Sequence, residues 1–319
     1  MPASINIAAI DAGSNAIRLL IARAEPSGAI VKLERKRSAV RLGRHAFTRH
    51  ELDEDTIAHA VQAFANFRHT MNKRKVAVCR AVATSATRSA HNRRVLLSRI
   101  EARTGIRLEV IDGIEEARLV RAAMFHTLGT QHSPRLILDL GGGSLELSFM
   151  RGRALERAMT LSVGTVRLMQ SFGIEGAIGE LEVHALEEHI RDALAESVPA
   201  HAGVFDGLVA ASGGNAETLA QYAQGRPAGG LHTLDLRVLE GLLPRMLAMS
   251  VEKRQKVFEV RRDRAEVMGL AGLVLVQLGR WLGLRELVIP GVGVREGVVA
   301  ELAAEHFGGQ PFAAGIAEA

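Results

Sequence analysis

The chain has a single cysteine, Cys79, among its 319 residues. No internal disulfide can form, and because Cys79 lies in the apolar run 76–82, we expect a buried structural thiol rather than a nucleophile. Histidine and cysteine form no cluster with the spacing of a metal site either. Carboxylates are therefore the candidate metal ligands, and zinc is not expected.

Aromatic residues are also scarce, at 4% of the chain, and long apolar runs are absent. This scarcity of aromatic side chains argues against a surface on which nucleic-acid bases stack. Nucleic acid is therefore not expected as a partner. The longest apolar run, residues 267–279, is shorter than the roughly 20 residues of a membrane span, and the amino terminus does not resemble a secretory signal. We therefore expect a soluble, cytoplasmic protein with no membrane partner.

Charge is distributed unevenly along a chain of otherwise ordinary globular composition. Residues 1–121 hold 22 Lys and Arg against 12 Asp and Glu, net +10, which leaves 18 against 23, net −5, for the remainder. Such asymmetry suggests a polyanionic partner, although a merely solvated basic surface is the alternative. Since aromatic residues are few, phosphate chains are favoured over nucleic acid.

The central stretch, residues 136–149, carries the strongest chemical signal. An apolar run that contains Asp139, then Gly141-Gly142-Gly143-Ser144, then an alternating segment that contains Glu146, predicts a strand, a tight turn and a second strand. Glycine lets backbone N–H groups crowd around an oxyanion, and phosphate is the obvious guest. Asp139 and Glu146 would flank it as oxygen ligands for a hard cation such as Mg²⁺. A glycine-rich turn without a ligand is the alternative reading.

A second hairpin of the same kind lies near the amino terminus, at residues 7–21. Asp11-Ala12-Gly13-Ser14-Asn15 again follows a strand and precedes another. Two such hairpins that face each other would make a phosphate clamp between two domains. Neither is a Walker A loop or a dinucleotide-binding fingerprint, because the glycine spacings and the following helices of those motifs are missing.

Three further segments join the list of candidates. Residues 83–89 place hydroxyls and Arg88 just before a helix predicted at 91–104, which describes either an anion site or a helix cap with a surface arginine. Glu115 and Glu116 open the next helix, where acidic residues are expected from the helix dipole, although one could orient water as a general base. Residues 212–215 form a third small-residue loop at a strand end.

The repeated strand–turn pattern predicts an α/β protein of two similar domains with the ligand between them. Other predicted strands include residues 30–42 and 76–82, with 287–289 as the last strand and a frayed tail beyond 307. The boundary is expected near residues 121–133. We draw it so that 1–125 form the first domain and 126–296 the second, with a helix at about 297–319 as a candidate to pack back on the first.

Five segments together resemble the exopolyphosphatase and guanosine pentaphosphate phosphohydrolase (Ppx/GppA) family of the actin-like ATPase superfamily. They occur in the family's order and span nearly the whole chain: Asp11-Ala12-Gly13-Ser14-Asn15, Ala83-Thr84-Ser85-Ala86-Thr87-Arg88, Gly113-Ile114-Glu115-Glu116-Ala117-Arg118, Asp139-Leu140-Gly141-Gly142-Gly143-Ser144-Leu145-Glu146, and Val294-Arg295-Glu296-Gly297. The resemblance implies two actin-like (ribonuclease H-like) domains with an interdomain phosphate-binding cleft. Longer members have a further helical domain, so this chain resembles a short, two-domain member.

The resemblance also assigns expected roles. Glu116 is implied as the catalytic base, and Asp139 and Glu146 as the residues that hold Mg²⁺ or another hard divalent cation. The implied phosphate contacts are Asp11, Gly13, Ser14, Asn15, Arg88, Gly141, Gly142, Gly143, Ser144 and Gly213. The chain departs from the family at Ala16, Leu145 and Asn215, where hydroxyl residues are usual, and loss of a hydrogen bond to a charged group can cost about 1.5 to 3 kcal/mol.

Two classes of function follow from these expectations. The first is an enzyme that hydrolyses the terminal phosphoanhydride of linear polyphosphate, with conversion of pppGpp to ppGpp as the alternative within the same chemistry. The second is a non-catalytic sensor that binds polyphosphate or a guanosine alarmone, which the lost hydroxyls would allow. A homodimer is compatible with either.

Overall fold

A computed structural model describes residues 4–129, 132–200, 203–224 and 231–308, together with a strand at 316–318. The chain forms two compact units. Unit 1 comprises residues 1–133 and 292–319, and unit 2 comprises residues 134–291. The unit boundaries therefore lie at 133/134 and 291/292, where the sequence prediction placed them at 125/126 and 296/297.

Unit 1 is built on a six-stranded mixed sheet. Its elements are β1 Ile5–Ala12, β2 Ile17–Ala24, β3 Ile30–Ser38, α1 Gly43–Ala46, α2 Glu54–Lys73, β4 Val78–Ala83, α3 Ser85–Ser89, α4 Arg93–Thr104, β5 Leu108–Val110, α5 Gly113–Leu128, α13 Val294–Phe307 and β12 Ile316–Glu318. The strand order is β12-β3-β2-β1-β4-β5. Strands β1, β2 and β3 are antiparallel neighbours, whereas β4 and β5 continue the sheet in parallel with β1.

Unit 2 repeats this plan. Its elements are β6 Leu136–Leu140, β7 Leu145–Arg151, β8 Ala154–Leu161, α6 Thr165–Ser171, α7 Glu180–Ser197, β9 Val209–Ser212, α8 Gly214–Ala220, β10 His232–Asp235, α9 Leu236–Leu247, α10 Val251–Val257, α11 Arg262–Ala265, α12 Met268–Leu282 and β11 Glu286–Ile289. The order is β10-β11-β9-β6-β7-β8, and β6, β9 and β11 run parallel. In each unit, a three-stranded antiparallel meander begins with the central strand, and two parallel strands extend the other side; in unit 2 the edge strand β10 then pairs antiparallel with β11.

Burial explains why these segments pair as strands. The central strands have apolar side chains on both faces, so β6 is buried along its whole length and β1 from Ile7 onward. Helices cover the sheets, and α12 is the most buried of those described in unit 2, since 13 of its 15 residues are buried. The stretch 262–282, which includes α12, is long and apolar enough to cross a membrane, but 83% of its most apolar window is buried inside the protein, as in the core helix of a soluble protein.

Several local predictions need correction. Residues 85–89 form a short helix, α3, where no secondary structure was predicted, and β3 ends at Ser38 rather than at residue 42. The prediction that 287–289 is the last strand is wrong, because β12 pairs in parallel with β3. The rest of the tail predicted to be frayed, residues 309–315 and 319, lies outside the described residues.

Cys79 lies on β4 and is half-buried. Burial raises the pKa of its thiol to about 11, so the thiolate is scarce at neutral pH. This agrees with an inert thiol rather than a nucleophile.

Candidate active site

The predicted site residues of each unit collect at one edge of its sheet. In unit 1, β1, β4 and β5 run parallel, so their carboxyl ends lie at the same edge and lead into the 12–16 turn, α3 and α5. In unit 2, β6 and β9 lead in the same way into the 141–144 turn and α8. Each unit thus has its own half-site at the edge where ligands bind in open α/β sheets.

Asp11 occupies the penultimate position of β1 and is 7% exposed. It pairs across the hairpin with Arg18, whose Nη1 lies 3.7 Å from Asp11 Oδ2. Burial raises the pKa of the Asp11 carboxyl, while Arg18 and Arg295 act to lower it. Helix α13 thus adds a second cationic side chain, Arg295, to the surroundings of Asp11.

The turn after Asp11 is closed by its own backbone. Gly13 N donates to Ala16 O at 3.2 Å, and Ser14 O accepts from Gly43 N at 2.8 Å. The Ser14 side chain is buried, Asn15 is half-buried, and Ala16 is 2% exposed. A compact turn of small residues leaves room for a ligand to approach the backbone.

Glu116 and Arg88 meet at the other strand ends of unit 1. Glu116 lies in the first turn of α5 and is 6% exposed. Arg88 Nη1 lies 3.5 Å from Glu116 Oε2 and donates to the carbonyl oxygen of Ile111 at 2.7 Å. This contact places a guanidinium beside the carboxyl group that is predicted to act as the general base.

Helix α6 determines how the 141–144 turn presents its peptide groups. The carbonyl oxygen of Gly141 accepts from Thr165 N at 3.1 Å, that of Gly142 from Val166 N at 2.7 Å and Arg167 N at 2.9 Å, and that of Gly143 from Arg167 Nε at 2.8 Å.

These contacts have a geometric consequence for anion binding. The structure contains no cis peptide bond among the described residues. In a trans peptide the N–H points opposite to the C=O, so the N–H groups of Gly142, Gly143 and Ser144 point away from α6. A convergent set of outward N–H groups is a typical cradle for phosphate oxygens.

Gly213 is required by the close approach of two strand ends. Its φ of +101° belongs to the region that favours glycine, and a Cβ there would lie 2.7 Å from the carbonyl oxygen of Leu140 and 3.2 Å from Asp139 Oδ1. This backbone contact places the 212–215 loop beside Asp139.

Asp139 in unit 2 holds the position that Asp11 holds in unit 1, but its partner differs. Across the hairpin Asp139 faces Glu146, where Asp11 faces Arg18. Asp139 and Glu146 are 8% and 2% exposed, and their carboxylate oxygens lie within 4.8 Å of each other. The same scaffold thus holds an aspartate–arginine pair in unit 1 and two carboxyl groups in unit 2.

This pair fits a hard divalent cation. Two buried carboxylates at this separation repel unless a cation or proton is shared between them, and Mg²⁺ is commonly bound by one or two carboxylates together with substrate phosphate. The donor set is all oxygen. The residues present therefore fit Mg²⁺.

Asn215, one of the three positions at which the resemblance led us to expect a hydroxyl residue, is hydrogen-bonded on both sides of its amide. Its Nδ2 donates to Thr165 Oγ1 at 3.3 Å, and its Oδ1 accepts from Arg264 Nη1 at 2.6 Å. Leu145, another of these three positions, is fully buried at the start of β7, and its side chain has no group that can form a hydrogen bond. Asn215 therefore links the 212–215 loop to α6 and to a cationic side chain.

Sequence reasoning missed several of these participants. Arg18 could have been found from the hairpin register, since a tight turn at 13–16 places residue 18 opposite residue 11. Arg167 and Arg264 had no local signal, because their contacts join residues 24 and 49 positions apart in the chain. The roles of the predicted site residues in binding and catalysis stay predictions.

The sequence profile of the Ppx/GppA phosphatase family matches residues 20–306. The chain belongs to the Ppx/GppA phosphatase family. A relative from Streptomyces coelicolor, an uncharacterised protein, is 29% identical over 299 residues, which cover 91% of this chain and 88% of the relative.

Solved structures agree with this assignment to the Ppx/GppA family. A family member from Aquifex aeolicus has a TM-score of 0.77 at 25% identity, covering 95% of this chain and 99% of that chain. An exopolyphosphatase from Cytophaga hutchinsonii has a TM-score of 0.82 at 22% identity, covering 96% and 99%. The predicted family and the α/β fold of two actin-like domains are confirmed.

Proposed function

We propose that this member of the Ppx/GppA family is an exopolyphosphatase, which hydrolyses the terminal phosphoanhydride bond of linear polyphosphate and releases phosphate. The observation that carries the proposal is the half-site of unit 2. There a turn with outward N–H groups lies at the end of the strand that carries Asp139, paired with Glu146. One half-site thus offers both a phosphate cradle and ligands for a cation.

The proposed reaction requires residues of both units to act on one substrate. Water attacks the terminal phosphorus in line with the bridging oxygen, and its proton passes to the carboxylate of Glu116. The bond from phosphorus to the bridging oxygen breaks, and the chain leaves one phosphate shorter with the bonding electron pair. Phosphate is released as the other product.

The remaining residues hold the substrate and stabilise charge. The N–H groups of the 141–144 turn, Ser14, Asn15 and Arg88 would bind phosphoryl oxygens, whose negative charge is spread in the transition state. Asp139 and Glu146 would hold Mg²⁺, which when bound supplies charge neutralisation at the transferred phosphoryl group.

The charge of the chain supports a long polyanion as substrate. Residues 1–121 carry a net charge of +10, which suits a chain with many more phosphates than the one transferred. Guanosine pentaphosphate offers the same terminal anhydride, so pppGpp is the alternative substrate. We further propose a cytoplasmic location and a homodimer. Light scattering of the purified chain would test the homodimer.

The test is phosphate release from long-chain polyphosphate and from pppGpp, measured side by side with Mg²⁺ and with excess chelator. We expect release from polyphosphate with the higher kcat/KM, and its loss in chelator. A higher kcat/KM on pppGpp would make the alternative correct. Binding of either substrate without release would favour the sensor function.

A further inference from the structure

Beside Glu116, unit 1 contains a closed ring of alternating charges that sequence reasoning did not assign. We call Arg80, Glu115, Arg118 and Glu301 the charge ring. Arg80 comes from β4, Glu115 and Arg118 from the first two turns of α5, and Glu301 from α13. Three elements that are distant in sequence thus meet through four side chains.

Every side of the ring is a hydrogen-bonded ion pair. Arg80 Nη2 lies 3.1 Å from Glu115 Oε1, and Arg80 Nη1 lies 3.1 Å from Glu301 Oε2. Arg118 donates to both oxygens of Glu115, at 2.6 Å and 2.7 Å, and to both oxygens of Glu301, one of them at 3.0 Å. Glu109 on β5 adds an outer contact to Arg80 at 3.1 Å.

The ring is partly shielded from solvent. The side chains of Glu301, Arg80 and Glu115 are 12%, 26% and 27% exposed, while that of Arg118, which bridges both glutamates, is 44% exposed. Bidentate arginine–carboxylate contacts of this kind are geometrically specific, and several charges in one network hold each other more firmly than isolated pairs. The guanidinium of Arg118, and then that of Arg80, hold the pKa of Glu115 below its ordinary value.

Backbone packing places α13 where the ring needs it. A Cβ at Gly297 would lie 2.0 Å from the carbonyl oxygen of Leu119, so the backbones of α13 and α5 touch. Glu301, one turn further along α13, then reaches Arg118. Close packing and the ring therefore hold α5 from one side.

We propose that Glu115, Arg118 and Glu301 are positioning residues for Glu116, a role that rests on the proposed function. Glu115 precedes Glu116 in the same helical turn, and successive side chains of an α-helix project about 100° apart. Fixing Glu115 between two guanidinium groups fixes the rotation of α5 about its axis, and so the direction in which the Glu116 carboxylate projects. The ring touches neither substrate nor water in this account.

The test is a double-mutant cycle of Glu115→Gln and Glu301→Gln, since glutamine keeps the shape and removes the charge. Steady-state phosphate release from polyphosphate gives kcat and KM, and thermal unfolding reports folding. We expect each single variant to lower kcat by about 10-fold or more with KM within about 2-fold, because small misplacements of a catalytic group strongly slow the reaction. The double variant should be little worse than either single one, since the ring acts as a unit.

A matched control is Glu54→Gln, which removes an exposed ion pair with Arg99 in the same unit and should leave kcat unchanged. Should a ring variant fail to fold, Arg118→Lys is measured in its place, because it keeps the charge and loses the bidentate fork. Ring variants with the kcat of the control, whatever their unfolding temperature, would overturn the positioning role. An unaltered chain that releases no phosphate would instead overturn the proposed function, so the two failures are distinguishable.

Discussion

Replacement of Gly164 by alanine tests how α6 holds the 141–144 turn. Gly164 has φ −66° and ψ 150°, a conformation open to alanine, so any effect must come from space rather than from backbone strain. An added Cβ would lie 2.2 Å from the carbonyl carbon of Gly143 and 2.2 Å from Ser144 N. Both neighbours are backbone atoms, which no change of side-chain rotamer can move.

The size of the effect follows from these distances. Ordinary contact for a Cβ begins at about 3.4 Å, so the turn and the start of α6 must separate by about 1 Å. A displacement of that size moves the N–H groups of Gly143 and Ser144 away from the position proposed for phosphate. Misplacement by about 1 Å can lower a rate about 100-fold, and overpacking of a filled site typically costs about 1 to 3 kcal/mol.

The assay combines kcat for phosphate release with thermal unfolding of the Gly164→Ala variant. The control is Gly241→Ala on α9, where no atom lies within 4 Å of the added Cβ. Gly241→Ala should leave kcat unchanged and stabilise α9 by up to about 1 kcal/mol. If Gly164→Ala keeps both the rate and the unfolding midpoint of the unaltered chain, the close contact does not support the turn as described.

Three further predictions concern charge. Burial raises the pKa of Asp11, so the folded state favours the protonated carboxyl. The stability that this protonated form contributes is present below the ordinary pKa of 3.8 and is lost as pH rises through the raised pKa. The unfolding temperature of Asp11→Asn, relative to that of the unaltered chain, should therefore increase as pH rises above about 4, and a decrease would contradict this. Arg254 is fully buried and donates to the backbone carbonyls of Met249, Ala265, Glu266 and Gly176. Arg254→Met should therefore lower the free energy of urea unfolding by about 3 kcal/mol, whereas the control Arg245→Met, at an exposed position, should lower it by about 0.5 kcal/mol or less. Equal losses in the two variants would refute this prediction. Added salt should raise the KM for long polyphosphate more steeply than the KM for triphosphate, because binding of the longer chain releases more counterions. Equal slopes of log KM against log salt concentration for the two substrates would argue against a basic binding surface.

The strand–turn–strand signals were readable from the sequence because they are local. Alternating or continuous apolar runs that end in glycine specify both the strands and the turns between them, which is why both hairpins and the carboxylate positions Asp11 and Asp139 were predicted. What the sequence did not reveal is that the two copies carry opposite electrostatics, Arg18 in one and Glu146 in the other.

The features that sequence reasoning missed depend on packing between distant segments. Nothing near Gly164 indicates that another backbone lies against it, and nothing near Arg254 indicates complete burial, since arginine is usually exposed. The edge strand β10 is short and pairs with β11, more than 50 residues away along the chain. The position of Glu115 in a first helical turn does not indicate that it belongs to the charge ring, whose other members lie on β4, α5 and α13.

The central claim is that Glu116 removes a proton from water during hydrolysis of a phosphoanhydride. Its most direct test is single-turnover phosphate release from polyphosphate with Mg²⁺ for Glu116→Gln and the unaltered chain, alongside equilibrium binding of the same substrate. Glutamine keeps the shape and removes the basic oxygen, so the rate should fall by about 10² to 10⁴ while affinity stays within about 2-fold. A Glu116→Gln variant that releases phosphate at the rate of the unaltered chain would contradict the account.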